Sequence, residues 1–89
     1  MAQISFTANL RRYVSCPTAR VQADTLRAAL DAVFADNPKL RSYLLDEHGR
    51  LRKHVSIYVN DRVIADRTGL TDPIAEEDEI FVFQALSGG

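Results

Sequence analysis

Two glycines, Gly88 and Gly89, close the 89-residue sequence. Lacking a Cβ, such a pair can thread a narrow channel and take backbone angles closed to other residues. A carboxylate on Gly89 is a poor electrophile until it is activated, so chemistry there needs a partner that installs a better leaving group. With glycine at about 7% of residues, chance alone ends a chain in Gly-Gly about 0.5% of the time. A flexible tail would look the same, so the pair takes its meaning from the element in front of it.

The other reactive side chains point less clearly to chemistry. Cys16 is the single cysteine, so no internal disulfide can form and a reducing, cytoplasmic setting is the expectation. Its neighbours are Ser15 and Pro17, with Arg11 and Arg12 four and five residues back, and none of these activates a thiol. His48 and His54 are the only histidines, too few with one cysteine for a metal site of that kind. No spacing of carboxylates suggests one either. The basic run Arg50-Leu51-Arg52-Lys53 reads as a solvated loop that could meet an acidic partner. The acidic run Glu76-Glu77-Asp78-Glu79 reads as a solvated turn that could steer a basic one.

The bulk numbers narrow the class. Hydrophobic residues make up 46% and charged residues 26%, as in an ordinary soluble domain. A net charge of -1 argues against nucleic acid. No apolar run approaches the roughly 18 residues of a membrane span. The start, Met1-Ala2-Gln3-Ile4, lacks the basic and apolar stretches of a signal peptide. One domain over residues 1–86, followed by a flexible diglycine tail at 87–89, is the expected organisation.

The elements that would position the tail can be read from periodicity. Residues 3–8 alternate, with Ile4, Phe6 and Ala8 on one side, and predict a strand. Cys16-Pro17-Thr18 predicts a turn, and a short second strand follows around Arg20–Gln22. Residues 25–36 carry a helical period, with Leu26, Ala29, Leu30, Val33 and Phe34 on one face. Asp24 is the expected N-cap, and Asn37-Pro38 the stop. Residues 39–46 predict a short irregular helix that pins Leu40, Leu44 or Leu45. His48-Gly49 predicts a turn.

Residues 54–59 alternate again, with Val55, Ile57 and Val59 inward. Asn60-Asp61 predicts a turn, Val63-Ile64 a short strand, and residues 66–78 a loop anchored by Leu70 and Ile74. The last strand, Glu79–Ala85, is apolar on both faces, since Phe81 and Phe83 oppose Ile80 and Val82. With Tyr58 on a neighbouring strand, Phe81 and Phe83 would form an outward apolar patch near the tail. Such a patch often marks a docking surface, unless the 39–53 segment covers it. The order β-β-α-β-β-β, with one main helix, fits an α+β domain in which that helix covers one face of a mixed sheet. By analogy this is the β-grasp, or ubiquitin-like, arrangement, with the first and last strands side by side in the middle.

A β-grasp pattern ending in Gly-Gly resembles the MoaD/ThiS sulfur carriers, relatives of ubiquitin, over the whole chain. Within that family, residues 54–61 (HVSIYVND), residues 69–79 (GLTDPIAEEDE) and the long 37–53 connection look most like the carriers of thiocarboxylate-dependent cysteine synthesis. The tail Ala85-Leu86-Ser87-Gly88-Gly89 departs a little, as such carriers more often show a proline near Gln84 and valine-alanine before the glycines.

The resemblance implies a carrier that is a substrate of other enzymes and not itself an enzyme. Leu86, Ser87 and Gly88 would thread a partner's channel. An E1-like adenylyltransferase/sulfurtransferase with ATP and magnesium would adenylate Gly89, and a sulfur donor would displace AMP to leave a thiocarboxylate. No cofactor would be bound by this chain. A pyridoxal-phosphate-dependent cysteine synthase would take the sulfur, and a metal-dependent protease of the JAMM type would restore Gly89. Three rivals remain: the small subunit of molybdopterin synthase, a ubiquitin-like modifier of target lysines, and a β-grasp interaction module. Lys39 and Lys53 are the only lysines, so a branched polymer would have few attachment points on this chain.

Overall fold

Alternation in the first strand sets the plan of the molecule. Ala2, Ile4 and Phe6 are buried while Gln3 and Ser5 face outward, as a half-buried strand requires. The computed structural model describes residues 1–7 and 18–84. Its strands are β1 (Ala2–Phe6), β2 (Ala19–Val21), β3 (Val55–Val59), β4 (Arg62–Val63) and β5 (Glu79–Gln84). Two helices, α1 (Leu26–Asp36) and α2 (Pro38–Leu44), lie between β2 and β3.

The sheet order is β2-β1-β5-β3-β4. β1 and β5 run parallel, with Ile4 beside Ile80 and Phe6 beside Val82, and every other pair is antiparallel. The first and last strands therefore lie side by side in the interior of the sheet, as expected. One hydrophobic core joins the inner face of the sheet to α1 and α2. Leu26, Ala29, Leu30, Val33 and Phe34, the face read from the helical period, are the buried residues of α1.

Boundaries moved for identifiable reasons. β1 begins at Ala2, and Ala8 lies outside the described residues. β2 covers 19–21 because Val21 points inward against Ala2, leaving Gln22 exposed. Thr25, not Asp24, caps α1. Thr25 is extended (φ -134°, ψ 158°) and bridged to Pro73, which puts its hydroxyl where it accepts from the Ala28 N–H at 3.2 Å. The Asp24 carbonyl instead accepts from the Ile74 N–H at 2.8 Å.

Pro38 both stops α1 and opens α2, where a missing N–H costs nothing. α2 is a regular helix, and Leu45 leaves it in extended conformation. Leu40, Leu44 and Leu45 are all buried, more than the anchor or two expected. β4 ends at Val63, while Ile64 is buried and its N–H donates to the Ile57 carbonyl at 3.1 Å.

The loop after β4 is more organised than its composition suggests. Leu70 and Ile74 are its buried anchors. The first two free amides of α1 are satisfied by it: Leu26 N–H donates to the Asp72 carbonyl at 2.9 Å, and Arg27 N–H to the Leu70 carbonyl at 2.8 Å. Inside the loop, Asp66 accepts from the N–H groups of Thr68, Gly69 and Thr71 and, at 2.6 Å, from the Thr71 hydroxyl. A β-carbon on Gly69 would meet Asp66 Oδ2 at 2.9 Å, so glycine is what lets this carboxylate fold back over its own loop.

The Thr71 hydroxyl first, and then the Gly69 amide, lower the Asp66 pKa from 3.8 to about 2. A depressed carboxylate pKa adds stability that is present above the unfolded value and lost as pH falls through the folded one. Asp66→Asn should therefore melt below the parent chain near neutral pH, and the gap should close between pH 3.8 and about 2. Melting temperatures of both chains across that range check this; a gap that stays constant contradicts it.

Candidate functional site

β5 leads toward the diglycine. It lies between β1 and β3, and Gln84 at its end pairs with Val55. Gly89, Gly88, Ser87 and Leu86, with Ala85, lie outside the described residues, as does Cys16. What the structure places is the strand before the tail and the surface around it.

On the inner side of β5, Ile80 and Val82 are fully buried. On the outer side, Phe81 is half-buried and Phe83 is 44% exposed. The register puts Tyr58 of β3 directly opposite Phe81, and Ser56 opposite Phe83. Tyr58 and Phe83 then meet on the diagonal as an edge-to-face pair, with ring centroids 5.6 Å apart and planes at 77°. The three aromatics named from the sequence are therefore brought together on one face.

Val63 extends the patch. It pairs with Tyr58 across β3 and β4 and is 58% exposed. Sequence reasoning assigned it to a strand without adding it to the patch. Alternation was the available signal, because an inward Ile64 sends Val63 outward. The 39–53 segment does not cover these residues: Leu40, Leu44, Leu45 and Leu51 are turned into the core on the opposite side of the sheet. Gln3 and Ser5 of β1, with Arg20 and Glu79, share the outer face and give it a polar border.

The base of the patch is fixed by a polar lock. Asn60, in the turn between β3 and β4, takes a left-handed φ of 58°, which asparagine tolerates better than most residues. Its N–H donates to the Glu79 carbonyl at 2.6 Å, and its side-chain oxygen accepts from the Glu79 N–H at 3.0 Å. Its amide nitrogen donates to Asp78 Oδ1 at 3.1 Å, and Asp78 Oδ2 accepts from the Ala75 N–H at 2.8 Å. The Ala75 amide, then Asn60, hold the Asp78 carboxyl below its usual pKa. Asp78 is thus a structural member of a run that reads as plain solvated acid, while Glu76, Glu77 and Glu79 are exposed.

The basic run is also partly used up. Arg50 pairs with Asp46 at 3.2 Å, Leu51 is buried, and Arg52 Nε donates to the Ser42 carbonyl at 3.0 Å. Among the described residues no group of three or more His, Cys, Asp or Glu is placed to hold a metal. No helix among them is long and apolar enough to cross a membrane.

A central strand leading to a diglycine, beside an uncovered aromatic patch, is the arrangement on which family comparison bears. The model of the ThiS family matches residues 4–89, a span that includes Gly88 and Gly89. The chain belongs to the ThiS family. It is a ubiquitin-like β-grasp protein whose relatives are sulfur carriers and small modifiers.

Among ThiS-family relatives, the sulfur carrier protein CysO of Mycobacterium tuberculosis (strain H37Rv) is 34% identical over 68 residues, which cover 74% of this chain and 73% of CysO. Small archaeal modifier protein 1 of Haloferax volcanii is 32% identical over 85 residues, covering 92% of this chain and 93% of the modifier. Its crystal structure superposes with a TM-score of 0.82 at 30% identity, over 99% of this chain and 98% of that one. A crystal structure of the BexX/CysO complex of Amycolatopsis orientalis gives a TM-score of 0.83 at 21% identity over the full length of both chains, which shows the shared fold.

The two faces of β5 should respond differently to truncation. Ile80→Ala should cost about 2–5 kcal/mol, the range for opening a cavity in a packed core. Phe83→Ala should cost about 1 kcal/mol, the scale of a surface aromatic pair. Urea titrations of both variants check the contrast; equal losses would mean that Phe83 is part of the core.

Proposed function

We propose that the Gly89 carboxylate is the working end of this chain and carries sulfur as a thiocarboxylate. What supports this reading is the ThiS-family match that runs through Gly88-Gly89, directly behind the sheet's central strand. An E1-like adenylyltransferase/sulfurtransferase, with ATP and magnesium, would convert the carboxylate into a mixed anhydride with AMP. A sulfur donor would displace AMP. The resulting thiocarboxylate is a softer and better nucleophile than the carboxylate it replaces. Leu86, Ser87 and Gly88 would occupy the partner's channel, where side chains larger than glycine near the reacting carbon would obstruct approach.

Docking would fall to Tyr58, Phe81 and Phe83, which supply rigid apolar area at low entropic cost. The fold has been solved as a CysO complex with BexX, so a carrier of this shape can seat on a protein partner. The proposed setting is the cytoplasm, where ATP and reduced sulfur are available.

Identity to CysO favours cysteine biosynthesis as the destination. There the thiocarboxylate would add through sulfur to an aminoacrylate held on a pyridoxal-phosphate-dependent synthase. A shift from sulfur to nitrogen would give a cysteinyl amide, and a metal-dependent protease of the JAMM type would release cysteine and restore Gly89. A second reading is favoured by the fuller coverage of the archaeal modifier: the activated Gly89 would be joined to lysines of target proteins. Both readings share the activation of Gly89.

Intact mass after incubation with the cognate activating enzyme, ATP, magnesium and a sulfide source tests the shared step. The expected change is one oxygen replaced by sulfur, absent when Gly89 is deleted. No change with a demonstrably active enzyme would overturn the proposal. Adding an aminoacrylate-forming synthase separates the destinations: a cysteinyl adduct supports cysteine synthesis, and lysine conjugates in lysate support the modifier.

A further inference from the structure

An activated carboxyl reacts with whichever free amine can reach it, so the amines around the C-terminal end of β5 matter. β5 runs antiparallel to β3, and its last residue, Gln84, pairs with Val55, the first residue of β3. The chain enters β3 through a tight turn, closed by the Val55 N–H donating to the Arg52 carbonyl at 3.0 Å. Lys53 sits at the corner of that turn and is exposed. The ion pairs among the described residues, Arg50 with Asp46 and His48 with Glu47, do not use it, and no hydrogen bond among them holds its side chain.

The register bounds the distance. Opposed Cα atoms of an antiparallel pair lie about 5 Å apart. Lys53 is two residues before Val55, which adds at most about 7.6 Å. The Cα atoms of Gln84 and Lys53 are therefore within about 13 Å of each other. Gly89 is the fifth residue after Gln84, and five residues of chain span up to about 17 Å. Covalent length alone lets the Gly89 carboxyl reach Lys53.

The other amines are placed less well. β1 runs parallel to β5, and Gln3 pairs with Glu79, so Met1 lies at the opposite end of the sheet. The length of β5, about 17 Å, separates that end from Gln84. Lys39, the other lysine, is in the first turn of α2, and no strand register ties it to Gln84.

We propose that Lys53 is an acceptor for this chain's own activated Gly89 carboxyl. The proposal rests on the reading that Gly89 is adenylated, and it adds the fate of the adenylate when no sulfur donor is at hand. The uncharged Lys53 Nζ adds to the Gly89 carbonyl carbon. The bond from that carbon to the AMP oxygen breaks, AMP leaves with the electron pair, and the surplus proton on nitrogen passes to water. An amide then closes a ring between Lys53 and Gly89. The ring has no terminal carboxylate, so a chain in this form is withdrawn from sulfur transfer. Sulfide and Lys53 compete for one acyl carbon, and supplying sulfur favours the thiocarboxylate. A short tether holds the reacting groups at about millimolar effective concentration, which favours the ring over the joining of two copies.

Intact mass of the full chain after incubation with the cognate activating enzyme, ATP and magnesium, without sulfide, tests this. The expected product is the monomer less one water, with proteolytic fragments joined between Lys53 and Gly89. At about 10 µM chain it should exceed the two-copy product about a hundredfold. Lys53→Arg, an exposed exchange that keeps the charge, should abolish the ring, and Lys39→Arg should leave it. Adding sulfide should divert the product to the thiocarboxylate. A ring closed at Lys39 or Met1, a predominance of two-copy product, or normal ATP–pyrophosphate exchange with no loss of water would overturn the proposal while leaving activation at Gly89 in place. Absence of that exchange, measured in parallel, would overturn activation at Gly89 and the ring with it.

Discussion

The parallel pairing of β1 with β5 carries the rest of the structure. Parallel strands cannot be joined by a tight turn, so everything between Phe6 and Glu79 has to be laid out around that pair. Ile4 with Ile80, and Phe6 with Val82, give the pair a dry inner face, and Leu26, Leu30 and Leu44 close over it. The pairing also fixes β5 in the interior of the sheet. β5 has a neighbour on each side, so Gln84, its last residue, lies in an interior strand of the sheet and not on an edge strand.

Burial on one side only has a functional consequence. Both helices and the 45–52 connection contribute their leucines to the same face. Nothing among the described residues covers the other face, yet β5 places Phe81 and Phe83 there, and β3 adds Tyr58. Folding alone has little use for exposed aromatics beside a strand whose inner face is already filled. The Asn60–Asp78–Glu79 lock holds β5 and the β3–β4 turn in one register, so these rings are presented as a fixed surface.

Much of this was legible in the sequence because it depends on period. Alternation gave β1 and β3, with Ile4, Phe6, Val55, Ile57 and Val59 inward; β5 was read from a strand apolar on both faces, and the helical period gave the buried face of α1 residue by residue. ThiS-family membership was readable from the diglycine behind such a pattern. Polar detail was not. Thr25 replaces Asp24 as the cap because a bridge to Pro73 sets the backbone, and no local signal reports a contact 48 residues away. Asp66 and Asp78 look like loop acids and act as hydrogen-bond hubs, since their partners are backbone amides that every residue has, joined by the Thr71 hydroxyl and the Asn60 side chain that the folded loops bring within reach.

In the function proposed for this chain, partner enzymes would act on Gly89 while the outer sheet face holds the chain in place. ATP–pyrophosphate exchange by the cognate adenylyltransferase measures activation directly, without requiring sulfur or any later acceptor. Exchange should depend on this chain and disappear when Gly89 is deleted. Phe83→Asp should raise the concentration of this chain needed for half-maximal exchange and leave the maximal rate near that of the parent chain. Exchange that persists without Gly89, or that is indifferent to Phe83→Asp at limiting carrier, would contradict it.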